Sequence, residues 1–275
     1  MGQRPGVFTY SQAVGAEVEN IGAAECAKLP QKFLLEHCKG ILAHCFTEND
    51  AFIKGEGACI MCDDPICKVD ERDPDLSSGG ISCQAYTMQR VKSGNTLKEG
   101  PIDTHPKHYT ASEEWYKYLD ARNPKGWVVE NTDAWGQVNP KTGKTYMAEF
   151  AKEAAKHGRG YAVRAILTEH NVWVGMKRQR IIMVGIGDHL GGNEAADWIV
   201  DTINAATEYR LQLQTPPTSI WQMVDPDSTE EVARRNRGQE TYVQAHTREC
   251  TAVSLIHAFL NQHSFSVIIW FLKIQ

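Results

Sequence analysis

The sequence predicts an α/β domain built on a mostly parallel β-sheet. Runs rich in β-branched and aromatic residues alternate with segments in which apolar residues recur at helical spacing. "VENIGAAE" (18–25), "GWVVEN" (126–131) and "RIIMVGIG" (180–187) are typical of buried strands. "TYMAEFAKEAAKHGRG" (145–160) is typical of a helix that glycines end. A chain of 275 residues can bury the core of such a domain without disulfide bonds.

The remaining elements follow from the same two patterns. We predict a helix over 29–38, loops over 47–78, a helix capped by Thr110 or Ser112, a strand over 161–169 and an amphipathic helix over 193–214. Neither an internal repeat nor a low-complexity tract interrupts this order. Strands that alternate with helices favour a parallel sheet, whose ligands bind at the carboxyl ends of the strands.

Composition and charge are those of a globular protein, which we expect inside the cell. The net charge of −5 weighs against non-specific binding of nucleic acid. The first residues contain no apolar run of signal-peptide length, so the eight cysteines are expected as free thiols in an intracellular protein, nuclear in a eukaryote. The apolar end "FSVIIWFLKIQ" (265–275) is too short to span a bilayer and predicts a buried strand or an exposed tail. We predict no membrane partner.

Three polar or reactive side chains are expected at the carboxyl edge of the sheet. Glu25 ends the first strand, Glu130 ends the strand "GWVV", and Cys83 follows the turn "SSGG" (77–80). Glycines let the backbone turn sharply, and a cysteine on such a loop is a nucleophile where its thiolate is favoured. A carboxylate at a strand end can act as a general acid. The plainer alternatives are a buried apolar Cys83 and a turn-forming Glu130.

A basic segment precedes the strand at 180–187. Arg178 and Arg180 lie two positions apart, which places both side chains on one face of an extended chain. Guanidinium groups there would hold an anionic or carbonyl-bearing ligand. The alternative is a solvated cluster of charges.

Cysteines in "CIMCDDPIC" raise the question of a metal ion. Cys59 and Cys62 form one C-x-x-C pair, with Cys67 nearby, but no second pair follows at zinc-site spacing. His44 or Cys45 could complete a set of four ligands only through the fold. We therefore predict no metal site and keep a small zinc-binding module within 45–67 as an alternative.

In combination, the ordered motifs resemble the DNA cytosine-5 methyltransferase family. "GISCQ" (80–84) resembles the family's Pro-Cys-Gln loop, "VVEN" (128–131) its Glu-Asn-Val strand end, and "GMKRQRIIMVG" (175–185) its Gln-Arg-x-Arg element that leads into a strand. Ser82 and Thr132 stand where the family has proline and valine. The match spans roughly 18–188 and implies a Rossmann-like S-adenosylmethionine-dependent methyltransferase fold.

The resemblance implies methyl transfer to C5 of cytosine in DNA, with S-adenosyl-L-methionine as cofactor. The Cys83 thiolate would attack C6 of a base flipped out of the duplex, Glu130 would hold N3, and Arg180 would contact O2 with support from Arg178. Gln84 would contact the substrate from the Cys83 loop, and Asn131 would support the residues that touch the base. The residues expected at the cofactor are the ribose-binding Glu25 and, near the adenine, Glu48 or Asp50.

Two family features are absent from the sequence. The glycine-rich Phe-x-Gly-x-Gly loop that cradles the cofactor is not found before 18, and no Asn-bearing final motif is visible. We therefore expect a methyltransferase domain over 1–190 that is incomplete at its N-terminus. A helical or irregular region over 191–275 would take the place of the target-recognition region.

Two alternatives follow from these departures. The chain is either a cytosine-5 methyltransferase or a catalytically inactive remnant that binds nucleic acid or a protein partner. DNA is the expected substrate, and RNA is the alternative because related enzymes methylate transfer RNA. The sequence predicts neither a target sequence nor an oligomeric state.

Overall fold

A computed structural model describes residues 18–38, 42–62, 64, 66–81, 106–169, 179–212 and 269–274. Its strands are β1 Val18–Ala24, β2 Cys45–Phe46, β3 Glu56–Gly57, β4 Cys67–Lys68, β5 Leu76–Gly80, β6 Gly126–Thr132, β7 Tyr161–Glu169, β8 Gln179–Gly187 and β9 Ile269–Ile274. Its α-helices are α1 Lys28–His37, α2 Ala51–Lys54, α3 Pro106–Arg122, α4 Tyr146–Ala154 and α5 Gly192–Gln212. None of these helices combines the length and apolar character that a bilayer crossing requires.

Seven of the described strands form one sheet, in the order β2-β1-β9-β5-β6-β8-β7. The α/β class is confirmed, but the expectation of a mostly parallel sheet needs correction. Among the described strands, only β1–β2 and β5–β6 pair in parallel, because β8 and β9 run against the direction that β1, β2, β5, β6 and β7 share. The sheet is therefore mixed, although five of its seven described strands run in the same direction.

Ile269–Ile274 of the apolar C-terminal segment lie in the middle of this sheet. β9 pairs with β1 on one side and with β5 on the other, antiparallel to both. In doubly wound folds with strand order 3-2-1-4-5-6, this place belongs to the first strand. Of the two predictions made for the segment, a strand within the sheet is the one that the structure bears out.

Helices cover both faces of the sheet. On one face, Trp127 of β6 packs edge-on against Trp115 of α3, with ring centroids 6.0 Å apart, and against Phe150 of α4, at 6.3 Å. On the other face, Ala196 of α5 packs against Ala162 and Ile186. α5 belongs to the predicted C-terminal region, and the boundary after residue 190 stays a prediction.

The start of α3 differs from the prediction. The helix begins at Pro106, not after a cap at Thr110 or Ser112. Proline is favoured in the first turn of a helix because its fixed φ is helical and its missing N–H would have no intrahelical partner. By contrast, α4 begins as expected after Thr145, whose side chain accepts a hydrogen bond from the N–H of Ala148 at 3.1 Å.

Candidate active site

The predicted polar residues that the structure describes lie at one edge of the sheet, the edge formed by the carboxyl ends of its parallel strands. The carboxyl ends of β1, β5 and β6 lie at this edge because these strands share a direction. The antiparallel β8 begins at the same edge, since Arg180 pairs in register with Thr132. Glu25, Glu130 and Arg180 therefore lie at the same end of the sheet, where β1 and β6 end and β8 begins.

Glu130 and Arg180 form an ion pair on one face of the sheet. Glu130 is the register partner of Ile182, so Arg180 is its diagonal neighbour, within reach of a long side chain. The Nε of Arg180 lies 2.5 Å from Oε1 of Glu130. The Arg180 side chain is only 9% exposed, whereas that of Glu130 is 46% exposed. The pair thus presents a carboxylate to solvent beside a guanidinium that is held in place.

The backbone also holds this guanidinium. Nη1 of Arg180 donates to the carbonyl oxygen of Gln179 at 2.7 Å. The neighbouring Thr132 hydroxyl is buried and has no hydrogen-bond partner among the described residues. A planar, polar ligand at this position would meet a fixed cation, a half-exposed anion and an unsatisfied hydroxyl.

Asn131 lies on the opposite face of β6 and is 1% exposed. Its Nδ2 donates to the carbonyl oxygen of Ile81 at 3.4 Å, and its Oδ1 accepts from the N–H of Thr132 at 2.8 Å. The amide therefore ties the end of β6 to the first residue after β5. This placement suits the supporting role that was predicted for Asn131.

Three predicted site residues lie outside the described residues: Cys83, Gln84 and Arg178. The described residues include the immediate chain neighbour of Arg178, which is Gln179. β5 ends at Gly80, which is the register partner of Glu130. Ile81, the next residue, is the last described residue before Cys83. The last strand residue before Cys83, Gly80, thus pairs with Glu130 of the ion pair.

Glu25 follows β1 and is fully buried. Its N–H donates to the carbonyl oxygen of Phe46 at 2.9 Å, and its Oε1 accepts from the N–H of Ala27 at 2.6 Å. Oε2 has no hydrogen-bond partner among the described residues. Burial raises the pKa of this carboxyl from 4.5 to about 7, although the backbone N–H groups of Ala27 and Cys26 lower it.

We expect Glu25 to make stability fall as pH rises from about 4.5 to 7. The unfolded chain releases this proton near pH 4.5, whereas the folded protein keeps it to a pKa of about 7. The contribution of the neutral carboxyl is therefore complete below pH 4.5 and is lost as pH rises through 7. At about 1.4 kcal/mol per pKa unit, the loss is roughly 3 kcal/mol.

Urea denaturation across this pH range measures the effect. Glu25→Gln cannot titrate, so it should flatten the decline. Glu36→Gln makes the same chemical change on the exposed surface of α1 and should keep the wild-type decline, because the Glu36 side chain is 53% exposed. A Glu25→Gln protein whose stability still fell by the wild-type amount would contradict the assignment.

The other two predicted cofactor residues follow β2 at the same edge. The Asp50 carboxylate pairs with Lys54 at 2.5 Å, one turn along α2, and Glu48 is exposed. Asp50 is therefore already engaged, and Glu48 is the more accessible of the two carboxylates.

We predicted no metal site and kept a zinc-binding module as the alternative, and near this edge the fold brings the side chains considered for that module together. His44, Cys59, Cys62 and Cys67 offer ligand atoms that all lie within 4.8 Å of one another. The C-x-x-C pair and the nearby Cys67 were signals in the sequence, and the fold adds His44, not Cys45, to them.

Comparison with known proteins shows a partial sequence similarity to a methyltransferase. No protein-family model matches the chain. The chain is 31% identical over 124 residues to the type II methyltransferase M.Sau96I of Staphylococcus aureus, a match that covers 44% of this chain and 25% of the relative. The chain thus spans about a quarter of the length of the curated relative that it matches.

Among solved structures, the chain matches a prophage-encoded E. coli protein described as a DNA modification methyltransferase. That match has 14% identity and a TM-score of 0.30, and it covers 42% of this chain and 28% of the other. The sequence similarity to M.Sau96I confirms the predicted resemblance at the general level of a methyltransferase.

Proposed function

We propose that the chain forms part of a DNA methyltransferase that methylates C5 of cytosine. The observation that carries the proposal is the 2.5 Å contact between Glu130 and Arg180, at the strand end where Glu130 pairs with Gly80 of β5. The motif order in the sequence and the 31% identity to a type II methyltransferase support it.

Covalent geometry favours a meeting of these groups. Two residues of chain span at most about 7 Å, so the Cα of Cys83 stays within about 7 Å of that of Ile81. Ile81 is in turn hydrogen-bonded to Asn131, the residue after Glu130. The proposal is that the Cys83 thiol joins the Glu130 carboxyl group and the Arg180 guanidinium around a pyrimidine flipped to this edge.

Each side chain has a defined part in the proposed reaction. The Cys83 thiolate adds to C6 of cytosine, and the electron pair of the C5=C6 bond moves to C5. Glu130 holds a proton at N3, and Arg180 donates hydrogen bonds to O2, so both stabilise charge that develops on the ring. After C5 has been methylated, a water molecule takes the C5 proton, the C5=C6 double bond forms again, and the Cys83 thiolate leaves C6.

S-adenosyl-L-methionine supplies the methyl group when it is bound. Of the described residues, Glu25 fits such a cofactor, because a carboxylate oxygen without a partner at the end of β1 is the acceptor that a ribose hydroxyl needs. Glu25 is fully buried, so the proposal requires that a ribose reach a carboxyl group that solvent does not reach in this structure. Glu48 is the accessible carboxylate for the adenine side.

The test is to identify the methylated base. The protein is incubated with DNA and a cofactor labelled in the methyl group, and the DNA is then digested to nucleosides and analysed by mass spectrometry. We expect the label in 5-methyldeoxycytidine, and no label with Cys83→Ser. A parallel incubation with transfer RNA distinguishes the two substrate classes.

Other results would overturn parts of this proposal. Label in an exocyclic amino group of cytosine or adenine would show that the protein is a methyltransferase but would exclude the reaction at C5. Transfer by Cys83→Ser at the wild-type rate would exclude the covalent step. Binding of DNA without any methyl transfer would support the inactive remnant.

A further inference from the structure

One imidazole and three thiols converge beside β2. They belong to His44, Cys59, Cys62 and Cys67, and their ligand atoms lie within 4.8 Å of one another. Cys67 is buried and the other three are partly exposed. Nitrogen and sulfur in a ratio of one to three form a common donor set of structural zinc sites.

The spacing of the donor atoms fits a tetrahedral metal ion. A zinc ion with Zn–S of about 2.3 Å and Zn–N of about 2.05 Å has tetrahedral edges of about 3.8 Å between sulfurs and about 3.6 Å from sulfur to nitrogen. The Sγ atoms of Cys59 and Cys62 lie 3.7 Å apart. Nδ1 of His44 lies 3.4 Å from Cys62 Sγ and 3.9 Å from Cys59 Sγ. A disulfide bond, in contrast, requires about 2.05 Å between sulfurs.

Backbone hydrogen bonds bring the first three donors together. The N–H of Ile60 donates to the carbonyl oxygen of Cys45 at 2.9 Å, and Cys59 forms an isolated antiparallel bridge with Phe46. The C-x-x-C segment therefore runs beside β2, which His44 directly precedes. The N–H of Met61 also donates to Cys59 Sγ at 3.4 Å, a contact that would stabilise a metal-bound thiolate.

A short hairpin supplies the fourth donor. Cys67 begins β4 and pairs with Gly57 of β3. The C-x-x-C segment is the connection between these two strands, so the hairpin carries three thiols to one point. Its close packing allows no side chain at Gly57, because a Cβ there would lie 2.5 Å from the Cβ of Ala51.

Cys45 provides the contrast within the same strand. It follows His44, so its side chain lies on the other face of the strand. There it is fully buried in an apolar cluster with Ala23 and Leu34. Cys45 is thus a small core residue, whereas His44 faces the three thiols.

We propose that His44, Cys59, Cys62 and Cys67 bind one structural zinc ion. Four protein donors leave no open position for a substrate, which is typical of structural sites. The ion would cross-link the start of β2 to the β3–β4 hairpin and hold the hairpin over this edge strand. It would also fix Phe46, whose carbonyl oxygen accepts the N–H of Glu25. The proposal is independent of the proposed methyl transfer.

Metal analysis of the whole chain, purified without added metal, tests the site. We expect about one zinc per chain, and Co²⁺ in its place should give the visible absorption of a tetrahedral thiolate complex. His44→Ala and Cys62→Ser should each weaken zinc binding by more than about 100-fold. This exceeds the loss expected when a residue that only hydrogen-bonds to a metal ligand is removed. Cys26→Ser changes an exposed thiol outside the cluster and should keep the metal.

A ligand-conserving variant separates coordination from folding. His44→Cys replaces one zinc ligand with another and should retain about one zinc per chain, unlike His44→Ala. Three results would overturn the proposal: a chain that neither contains nor takes up zinc, a disulfide between Cys59 and Cys62 in place of metal, or unchanged zinc binding in both His44→Ala and Cys62→Ser.

Discussion

Glu130→Gln is expected to lower the rate of DNA methylation by about 10²- to 10³-fold, as for the loss of one group that stabilises charge in a transition state. The amide keeps the shape of the side chain but cannot hold an ionisable proton at N3 of the base. It also removes the charge that faces Nε of Arg180 at 2.5 Å. Initial rates with labelled cofactor measure the change.

Thermal melts must accompany these rates, because the substitution leaves a buried guanidinium without its charged partner. Glu36→Gln is the matched control, since Glu36 pairs with Lys32 at 3.8 Å on the exposed face of α1. It should leave both the rate and the melting temperature unchanged. Glu130→Gln that folds like wild type and still transfers methyl groups at the wild-type rate would exclude Glu130 from the reaction.

A double-mutant comparison tests whether Glu130 and Arg180 act as one unit. Arg180→Lys keeps the positive charge but loses the planar fork that donates to Glu130 and Gln179. If the pair acts together on one ring, the second substitution should add little to the first. Rate effects that multiply would show two independent roles.

The sequence predicts the positions of the long apolar strands, but not β5, which lies where a turn was predicted over 77–80, and not the strand partners. β1, β6 and β8 lie within one or two residues of their predicted bounds, because apolar β-branched runs mark buried strands wherever they pair. The direction of β8 is not encoded in its own residues. The antiparallel run, which places Arg180 diagonal to Glu130, depends on the path of the whole chain.

The same limit explains β9 and the metal ligands. Residues 269–274 are recognisably apolar, but nothing in them indicates a place between β1 and β5, far away in sequence. Choosing between His44 and Cys45 as a ligand requires knowing which face of β2 meets Cys59, and only the Phe46–Cys59 bridge decides this. The local sequence pattern identified the apolar segment and the possible ligands, and the long-range pairing of strands determined where the segment lies and which ligands meet.

Gly185→Ala is expected to lower the free energy of unfolding by about 3 kcal/mol, the upper range for overpacking a core. Gly185 is the register partner of Trp127, and a Cβ at this glycine would lie 2.1 Å from Cε2 of the indole. The indole has little room to move, because Trp115 and Tyr161 lie edge-on to it with ring centroids 6.0 and 5.9 Å away.

Urea denaturation of matched variants isolates this clash. Gly80→Ala places the same methyl group in strand β5, where a Cβ meets nothing within 4 Å, and should change stability by less than about 0.5 kcal/mol. Trp127→Leu alone removes core volume and destabilises the protein. Combined with Gly185→Ala it should cost less than the sum of the two, because the added methyl group then fills part of the space that the indole leaves. Strictly additive losses would show that the indole does not lie against Gly185.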